Sequence, residues 1–294
     1  MAYLFVIGSG RCGSTLVHRV LAGHPDVGWI SSADDRLRGF GPKGRLNRRL
    51  WLASGGAMPE FVRERYQPSE AYRLLADRVS PILSTPCRDL TAADATPWLS
   101  ERFARFFEER AAAQGTPVFL HKFTGWPRAG LLHAVFPEAR FVHVVRDGRA
   151  VACSLVQQPW WDGFGGPGGW SFGPLSDSDD ALWQESGRSF TVLAGLEWKL
   201  LMQAFADAQA LIPAESWLEL RYEDVVERPR EQVQRLLDHL GLEWTERFER
   251  SFAALEFAPD RAGAYRDELS PRDVEMLDRA LAPALRDHGY SAGE

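Results

Sequence analysis

A glycine-rich loop near the start of the sequence has the residue types of an anion-binding site. The apolar run Tyr3 to Ile7 precedes Gly-Ser-Gly-Arg-Cys-Gly-Ser-Thr (8–15), and apolar residues at helical spacing follow it. Such a strand–loop–helix unit directs free backbone N–H groups and the positive end of the helix dipole to one point. The sequence therefore predicts a bound phosphate or sulfate group, and the alternative is a tight turn without a ligand.

The spacing of the residues in this loop indicates which class of nucleotide it can bind. Gly8, Gly13 and Thr15 follow the pattern of a nucleotide phosphate loop. Ser14 stands where ATPases and GTPases need a lysine that reaches the β- and γ-phosphates, and the cation of the loop is instead Arg11. These residues predict a nucleotide with a single 5′-phosphate-like group and argue against a P-loop kinase.

A second candidate anion site lies later in the chain. Arg146 follows the apolar run 140–145, and Ser154 lies eight residues further on in a predicted helix. Ligands of open parallel sheets bind at the carboxyl ends of the strands. Arg146 can hold a phosphate there through two parallel hydrogen bonds, although it can instead simply neutralise Asp147. Two anion sites together suit a nucleotide phosphorylated at both ends of its ribose.

A mostly parallel sheet is needed to bring the two sites together. Apolar runs bounded by turn residues predict strands at 3–7, 27–30, 117–120, 140–145 and 217–221. Helical patterns separate these runs. We therefore expect an α/β fold, a P-loop-like three-layer sandwich with a central, mostly parallel sheet flanked by helices.

The expected organisation is a single domain over residues 1–294. One long helix is predicted from about Trp183 to Leu211. Residues 157–182 are rich in glycine, proline and tryptophan and lack a period, which favours a lid or an acceptor-binding loop over an ordinary connection. The alternative is a long loop whose tryptophans pack onto the core.

Composition excludes several classes of protein. The 40 acidic and 34 basic side chains leave a net charge of −6, so a broad nucleic-acid-binding surface is not expected. Lysine is rare, because only Lys43, Lys122 and Lys199 are present. Three scattered cysteines do not suit a disulfide framework or a zinc site. We expect a cytoplasmic protein without a signal peptide, a transmembrane segment or a bound metal ion.

Gly10 to Thr15 and residues 146–154 resemble two nucleotide-binding elements of the sulfotransferases that use 3′-phosphoadenosine 5′-phosphosulfate (PAPS). The first resembles the family's 5′-phosphosulfate loop, in the bacterial and protein-tyrosine type that carries arginine there. Cys12 and Ser14 replace the commoner serine and threonine. The second resembles the 3′-phosphate element and keeps both its arginine and its serine.

The resemblance continues towards the end of the chain. Residues 221–224 resemble a third family segment, whose tyrosine, here Tyr222, lies near the adenine. Arg261 and Gly263 resemble a late loop that closes over the 3′-phosphate, although Ala262 replaces a basic residue. The resemblance implies PAPS as the sulfate donor, PAP (3′-phosphoadenosine 5′-phosphate) as the product and no metal. It implies these cofactor-binding residues: Gly10, Arg11, Cys12, Gly13, Ser14, Thr15, Arg146, Ser154, Tyr222, Arg261 and Gly263.

Sulfuryl transfer requires a cation beside the departing oxygen and a base for the acceptor hydroxyl. Lys122 follows a predicted strand and falls where the family keeps a lysine, and Arg11 is expected to share the charge on the phosphosulfate. Related enzymes use a carboxylate or a histidine as the base. Asp34, Asp35 and His121 are the alternative candidates in this chain.

The expected function is transfer of a sulfuryl group from PAPS to a hydroxyl of a small or medium acceptor, such as a metabolite, a sugar or a lipid-linked molecule of secondary metabolism. The alternatives are a P-loop nucleotide kinase and a non-catalytic nucleotide-binding homologue. The expected partner is a small molecule rather than a nucleic acid, and the sequence gives no signal for the oligomeric state.

Overall fold

The computed structural model describes residues 2–37, 43–54, 64–259 and 262–291. Within these residues five parallel strands form one sheet in the order β2-β3-β1-β4-β5. The strands are β1 (Ala2–Gly8), β2 (Val27–Gly28), β3 (Val118–Thr124), β4 (Arg140–Val145) and β5 (Trp217–Arg221).

Helices cover both faces of this sheet. The first seven α-helices are α1 (Ser14–Ala22), α2 (Ser32–Arg36), α3 (Arg45–Ser54), α4 (Tyr72–Arg78), α5 (Pro97–Gln114), α6 (Ala129–Val135) and α7 (Gly148–Leu155). The next seven are α8 (Asp177–Glu185), α9 (Phe190–Gln209), α10 (Tyr222–Glu227), α11 (Pro229–Leu240), α12 (Glu246–Ala253), α13 (Tyr265–Glu268) and α14 (Pro271–Asp287). Short 3₁₀ helices lie at Pro81–Leu83, Ala92–Asp94, Asp162–Gly165 and Ala214–Ser216.

Two apolar cores lie on opposite faces of the sheet. Side chains of a strand alternate between the faces, so Phe5 and Ile7 of β1 pack on one side and Leu4 and Val6 on the other. The first core is shared with α5, α6, α9 and α14, and the second with α1, α11 and α12. The prediction of a three-layer α/β sandwich with a parallel sheet is therefore confirmed.

β1 lies in the middle of the sheet because its residues are apolar on both faces, as a strand covered on both sides requires. Gly8 at its carboxyl end is level with Thr124 of β3, and Ile7 is level with His143 of β4. Because the strands run in the same direction, the loop after β1 and the residues that end β3, β4 and β5 meet at one edge.

Two predicted elements differ in the structure. The single helix predicted from about 183 to 211 is two helices, α8 and α9, because Gly187 and Arg188 between them have left-handed φ angles of 74° and 63°. The strand predicted at 27–30 ends at Gly28, because the next backbone N–H donates to a side chain of α5 rather than to β3.

Two histidines connect the sheet to the last helix. The Nδ1 of His143, in β4, donates to Glu219 Oε2 of β5 at 3.1 Å, and the Nδ1 of His288, directly after α14, donates to Glu219 Oε1 at 3.3 Å. Burial by itself would raise the pKa of Glu219, but these hydrogen bonds outweigh it and hold that pKa below its usual range. The carboxylate thereby fixes β5, whose end carries Tyr222.

We expect Glu219→Gln to lower the free energy of unfolding by about 1–3 kcal/mol at neutral pH, because an amide cannot accept from both histidines. The folded-state pKa of Glu219 lies below its unfolded value of about 4.3. The stabilisation is therefore complete above that pH and decreases as the pH falls through the folded-state pKa. Urea denaturation of both proteins from about pH 7 to about pH 3 should show the difference shrinking.

A difference that grows towards low pH would contradict this account of Glu219. Glu185→Gln is the matched control, because Glu185 is exposed and pairs with Arg279 on the surface. Its free energy of unfolding should change far less than that of Glu219→Gln, because exposed ion pairs contribute little to stability.

Candidate active site

The glycine-rich loop turns sharply between β1 and α1. Arg11 and Gly13 have left-handed φ angles of 63° and 93°. α1 begins at Ser14 without a side chain that caps its first turn. The N–H groups and the dipole of an uncapped helix N-terminus attract an anion. The loop therefore has the conformation that its sequence predicts.

The loop contacts the second predicted anion site directly. Arg11 Nε donates to Ser154 Oγ at 2.9 Å, and Arg146 Nη1 donates to the carbonyl oxygen of Arg11 at 3.2 Å. The two predicted sites therefore form one cluster that contains two guanidinium groups and a hydroxyl.

A buried ion-pair network fixes the helix behind Arg146. Asp147 caps α7 by accepting from the backbone N–H of Arg149 at 2.9 Å. The Arg149 guanidinium binds Asp147 and also Asp278 of α14, each at 2.7 Å, and Arg149 is 2% exposed. Because Arg149 and its two aspartates are paired inside the protein, they hold the start of α7 in place, and Arg146 just before it projects from a fixed position.

Tyr222, the first residue of α10, lies against both anion-binding elements. The Arg146 guanidinium carbon lies 4.6 Å from the centre of its ring. A Cβ atom at Gly13 would lie 2.2 Å from the same ring. Glycine is therefore required at position 13 by the neighbouring tyrosine as well as by its φ angle.

Lys122 extends from β3 towards α1. Its Nζ donates to Thr15 Oγ1 at 2.7 Å and lies 3.4 Å from Glu70 Oε1. Lys122 is 6% exposed. A cation this deeply buried requires oxygen partners, and here they come from the loop helix and from a carboxylate.

Glu70 is a site residue that the sequence analysis missed. Its Oε1 accepts from Thr124 Oγ1 at 2.6 Å and faces Lys122. Glu70 lies just before α4 in a stretch without a clear period, so no local pattern singles it out.

These groups line one cavity of about 730 Å³, a volume within the range of about 300–1,000 Å³ that ligand sites occupy. Its lining includes Gly10, Arg11, Gly13, Ser14, Thr15, Lys122, Arg146, Ser154 and Tyr222. Cys12 is fully buried beneath the loop, and burial raises the pKa of its thiol. Its side chain therefore packs in the core, and the place of Cys12 among the cofactor-binding residues stays a prediction.

The structure does not bring Asp34 and Asp35 to this cavity. Asp34 caps α2 by accepting from Ser31 Oγ at 2.7 Å, and it also accepts from Asn47. Asp35 accepts from the backbone N–H of Leu74 at 2.9 Å. Both carboxylates hold local structure, and neither lines the cavity.

His121 also lies away from the cavity. Neighbouring residues of a strand point to opposite faces, so His121 and Lys122 diverge. The His121 ring packs with Phe107 and Phe123, at centroid distances of 5.3 and 4.7 Å. Burial and the nearby Lys122 charge lower the pKa of His121 to about 3. The structure therefore does not bring this candidate base to the cavity that Lys122 lines.

The late segment borders the same cavity. Gly263 immediately precedes Ala264 and Tyr265, which line it. Tyr265 is buried with its ring centre 5.1 Å from the Arg149 guanidinium carbon, so the segment rests on the network behind Arg146. Arg261, predicted to close over the 3′-phosphate, lies outside the described residues.

A second cavity of about 230 Å³, called here the side cavity, adjoins the first. The two share the lining residues Gly10, Tyr72, Thr124 and Trp160. The segment predicted as a lid or acceptor loop, 157–182, supplies much of the side-cavity wall. Trp161 and Trp170 are buried and Trp160 is exposed, so the segment packs onto the core and also lines a cavity.

A sequence profile of the sulfotransferase family matches residues 4–246. The chain belongs to this family. The sulfotransferases named omega-hydroxy-beta-dihydromenaquinone-9 sulfotransferase Stf3, from Mycobacterium bovis and Mycobacterium tuberculosis, are 28% identical to it over 144 residues. This match covers 47% of the chain and 32% of each relative, so the chain spans about a third of the length of the curated relatives it matches.

Solved structures of sulfotransferases share the fold of this chain. The sulfotransferase STF9 from Mycobacterium avium has a TM-score of 0.60 at 15% identity, covering 99% of this chain and 78% of the other. The sulfotransferase domain from the curacin biosynthetic pathway has a TM-score of 0.54 at 15% identity, with 98% and 97% covered. The sulfotransferase domain of the Synechococcus olefin synthase has 0.50 at 20% identity, with 95% and 94% covered.

The described residues were compared with the requirements of a membrane-spanning helix and of a metal site. Among the described residues, no helix is both long and apolar enough to cross a membrane. The same part of the chain holds no group of three or more histidine, cysteine, aspartate or glutamate side chains arranged to bind a metal ion.

We expect Arg146→Ala to weaken PAP binding about 10- to 100-fold, since a charged hydrogen bond contributes about 1.5–3 kcal/mol. Binding of adenosine 5′-phosphate, which lacks the 3′-phosphate, should change much less. Titration calorimetry with both nucleotides measures the effect. Arg279→Ala, which removes a surface arginine, is the control, and equal losses for the two nucleotides in Arg146→Ala would contradict a 3′-phosphate site.

Proposed function

We propose that this sulfotransferase moves a sulfuryl group from PAPS to a hydroxyl of a small or medium acceptor. The observation that supports this function best is that Lys122 lines the same cavity as the Arg11–Ser154–Arg146 cluster. A cavity lined by two anion-binding groups and one buried cation suits a nucleotide phosphorylated on both sides of its ribose.

The donor set fits PAPS. The loop N–H groups and Arg11 would hold the 5′-phosphosulfate, Arg146 and Ser154 the 3′-phosphate, and Tyr222 the adenine. Guanidinium groups bind phosphate oxygens through paired hydrogen bonds. When bound, PAPS supplies the sulfuryl group, and PAP is the product.

Lys122 is the cation proposed to act on the bridging oxygen. In the transfer, the bond from sulfur to the acceptor oxygen forms while the bond from sulfur to the phosphate oxygen breaks, and negative charge grows on that phosphate oxygen. A buried ammonium is already desolvated and fixed by Thr15 and Glu70, so it can stabilise this charge without reorganisation.

Glu70 is the proposed general base. Its carboxylate lies at the cavity beside Lys122 and is oriented by Thr124. As the acceptor oxygen bonds to sulfur, its proton passes to the Glu70 carboxylate.

A hydroxyl acceptor is consistent with the curated relatives, which are named as sulfotransferases of an omega-hydroxy-menaquinone. A nucleotide kinase and a non-catalytic nucleotide-binding protein are the competing functions. Titration with PAP and with ATP distinguishes a kinase from the proposed enzyme, because preferential ATP binding would contradict a PAPS site. Turnover of PAPS against a panel of phenols, sugars, glycolipids and peptides distinguishes a non-catalytic protein from it.

We expect Lys122→Ala to lower kcat by about 100- to 1,000-fold, the usual effect of removing one group that stabilises developing charge. PAP affinity should be largely retained, because the phosphates keep their arginines. Rates of PAP release from PAPS and calorimetry with PAP give the two readouts. Lys199→Ala, which removes a lysine paired with Asp179, should keep wild-type activity. An active Lys122→Ala enzyme would remove this lysine from the mechanism.

We expect Glu70→Gln to lower kcat by about 100- to 10,000-fold, because the amide cannot accept the proton. The isosteric amide leaves the cavity shape intact, so PAP should bind as before. Glu256→Gln changes another carboxylate at the same cavity and is the matched control. If Glu70→Gln retained wild-type kcat, the base would have to be a different group.

A further inference from the structure

The side cavity is placed to receive the acceptor. It meets the larger cavity, called here the donor cavity because it is proposed to hold PAPS, at Thr124 and Tyr72, next to Glu70 and Lys122. Glu197 of α9 and Trp161 line the side cavity but not the donor cavity. A molecule in the side cavity can therefore contact residues beside the proposed base and, away from the donor cavity, Glu197.

Aromatic rings form much of the side-cavity wall. Trp126 and Phe172 face one another with ring centroids 5.7 Å apart, and Trp160 and Trp161 add two further indoles. Such surfaces suit a flat apolar ring. A cavity of about 150 Å³ is enough to bind benzene, so about 230 Å³ suits one ring with a substituent.

Glu197 is the unusual residue in this wall. It is 3% exposed, and its Oε2 accepts from Trp161 Nε1 at 2.7 Å. Trp161 is the hydrogen-bond partner that the described residues give this carboxyl. Burial, opposed in part by this hydrogen bond and reinforced by the charge of Asp162, raises the pKa of Glu197 to about 8. A carboxyl that is protonated at neutral pH is a hydrogen-bond donor as well as an acceptor.

The other charged groups at the side cavity are bound within the protein. Arg128 Nη1 donates to the carbonyl oxygens of Thr124 and Trp126, at 3.1 and 2.6 Å. Asp162 accepts from the backbone N–H and the hydroxyl of Ser171, at 2.9 and 2.7 Å. Among these charged groups Glu197 therefore has hydrogen-bonding capacity left for a ligand, as does the buried Nε of Arg128, for which the described residues give no partner.

We propose that Glu197 determines acceptor specificity: its carboxyl donates a hydrogen bond to a neutral oxygen on the far end of a single-ring acceptor held in the side cavity. This inference rests on the proposed sulfotransferase function and names the acceptor class for it. An acceptor whose far end is purely apolar would leave the buried donor unpaired, and an anionic far end would lie near Asp162. Both should be discriminated against.

Three phenols of similar size test the proposal. They are para-hydroxyacetophenone, with a neutral carbonyl oxygen, para-ethylphenol, with an apolar end, and para-hydroxybenzoate, with an anionic end. We expect the wild-type kcat/KM for the carbonyl compound to exceed that of the other two by about 5- to 15-fold, as one hydrogen bond of about 1–1.5 kcal/mol implies. Equal values, or a preference for the carboxylate, would overturn the role of Glu197.

Two substitutions localise the effect. Glu197→Gln keeps a donor and should keep the preference for the carbonyl compound. Glu197→Leu removes the donor and should abolish that preference, mainly by raising the KM of the carbonyl compound. A preference that survives in Glu197→Leu would overturn the proposal, and wild-type PAP affinity in each variant verifies that it is folded.

A binding measurement separates this inference from the proposed function. Calorimetry of the three phenols in the presence of PAP reports side-cavity recognition without turnover. Carbonyl-selective binding that depends on Glu197, without sulfation, would sustain the side-cavity assignment and contradict the reaction. Sulfation without selectivity would sustain the reaction and contradict the role of Glu197.

Discussion

The parallel register of β1 with β3 and β4 is the constraint on which the site depends. Gly8 is level with Thr124, and Ile7 is level with His143, so the glycine-rich loop, Lys122 and Arg146 emerge at one edge. A shift of β3 by one residue would turn Lys122 to the opposite face of the sheet and replace it with a neighbour. The anion cluster and the buried cation are therefore consequences of strand pairing as much as of residue type.

Burial makes the charges at this edge effective and also requires that they be paired. Lys122 is held by Thr15 and Glu70, and Arg149 by two aspartates. A buried charge without such partners would cost several kcal/mol of stability. With them, each charge is fixed in a region of low dielectric constant, where its effect on a neighbouring group is larger than in water.

Much of the fold and the anion-binding loop of the candidate site could be predicted from the sequence, because their signals are local. The apolar run before Gly8 and the helical pattern after Thr15 define the loop without reference to the rest of the chain. The contact between Arg11 and Ser154 could not be predicted in this way, because it joins residues that are distant in sequence. Glu70 and Glu197 become visible only when the cavities that they line exist.

The candidate bases that the sequence predicts lie away from the cavity for equally physical reasons. Asp34 follows the first helix, but it satisfies the N-terminus of α2. His121 is next to Lys122, yet adjacency in a strand separates side chains rather than joining them. The break between α8 and α9 at Gly187 could not be predicted either, because the residues on both sides of it have the apolar pattern of one continuous helix.

The two halves of the cavity system are built from different kinds of structure. The half proposed to bind PAPS lies on strand ends and helix N-termini, whose displacement would disturb the sheet. Much of the side-cavity wall instead comes from residues 84–86 and 160–172, which lie outside the α-helices and strands. Irregular segments tolerate substitution and changes of length better than strands do. Under the proposed function, the wall that would select the acceptor can thus change without disturbing the elements that would hold the nucleotide.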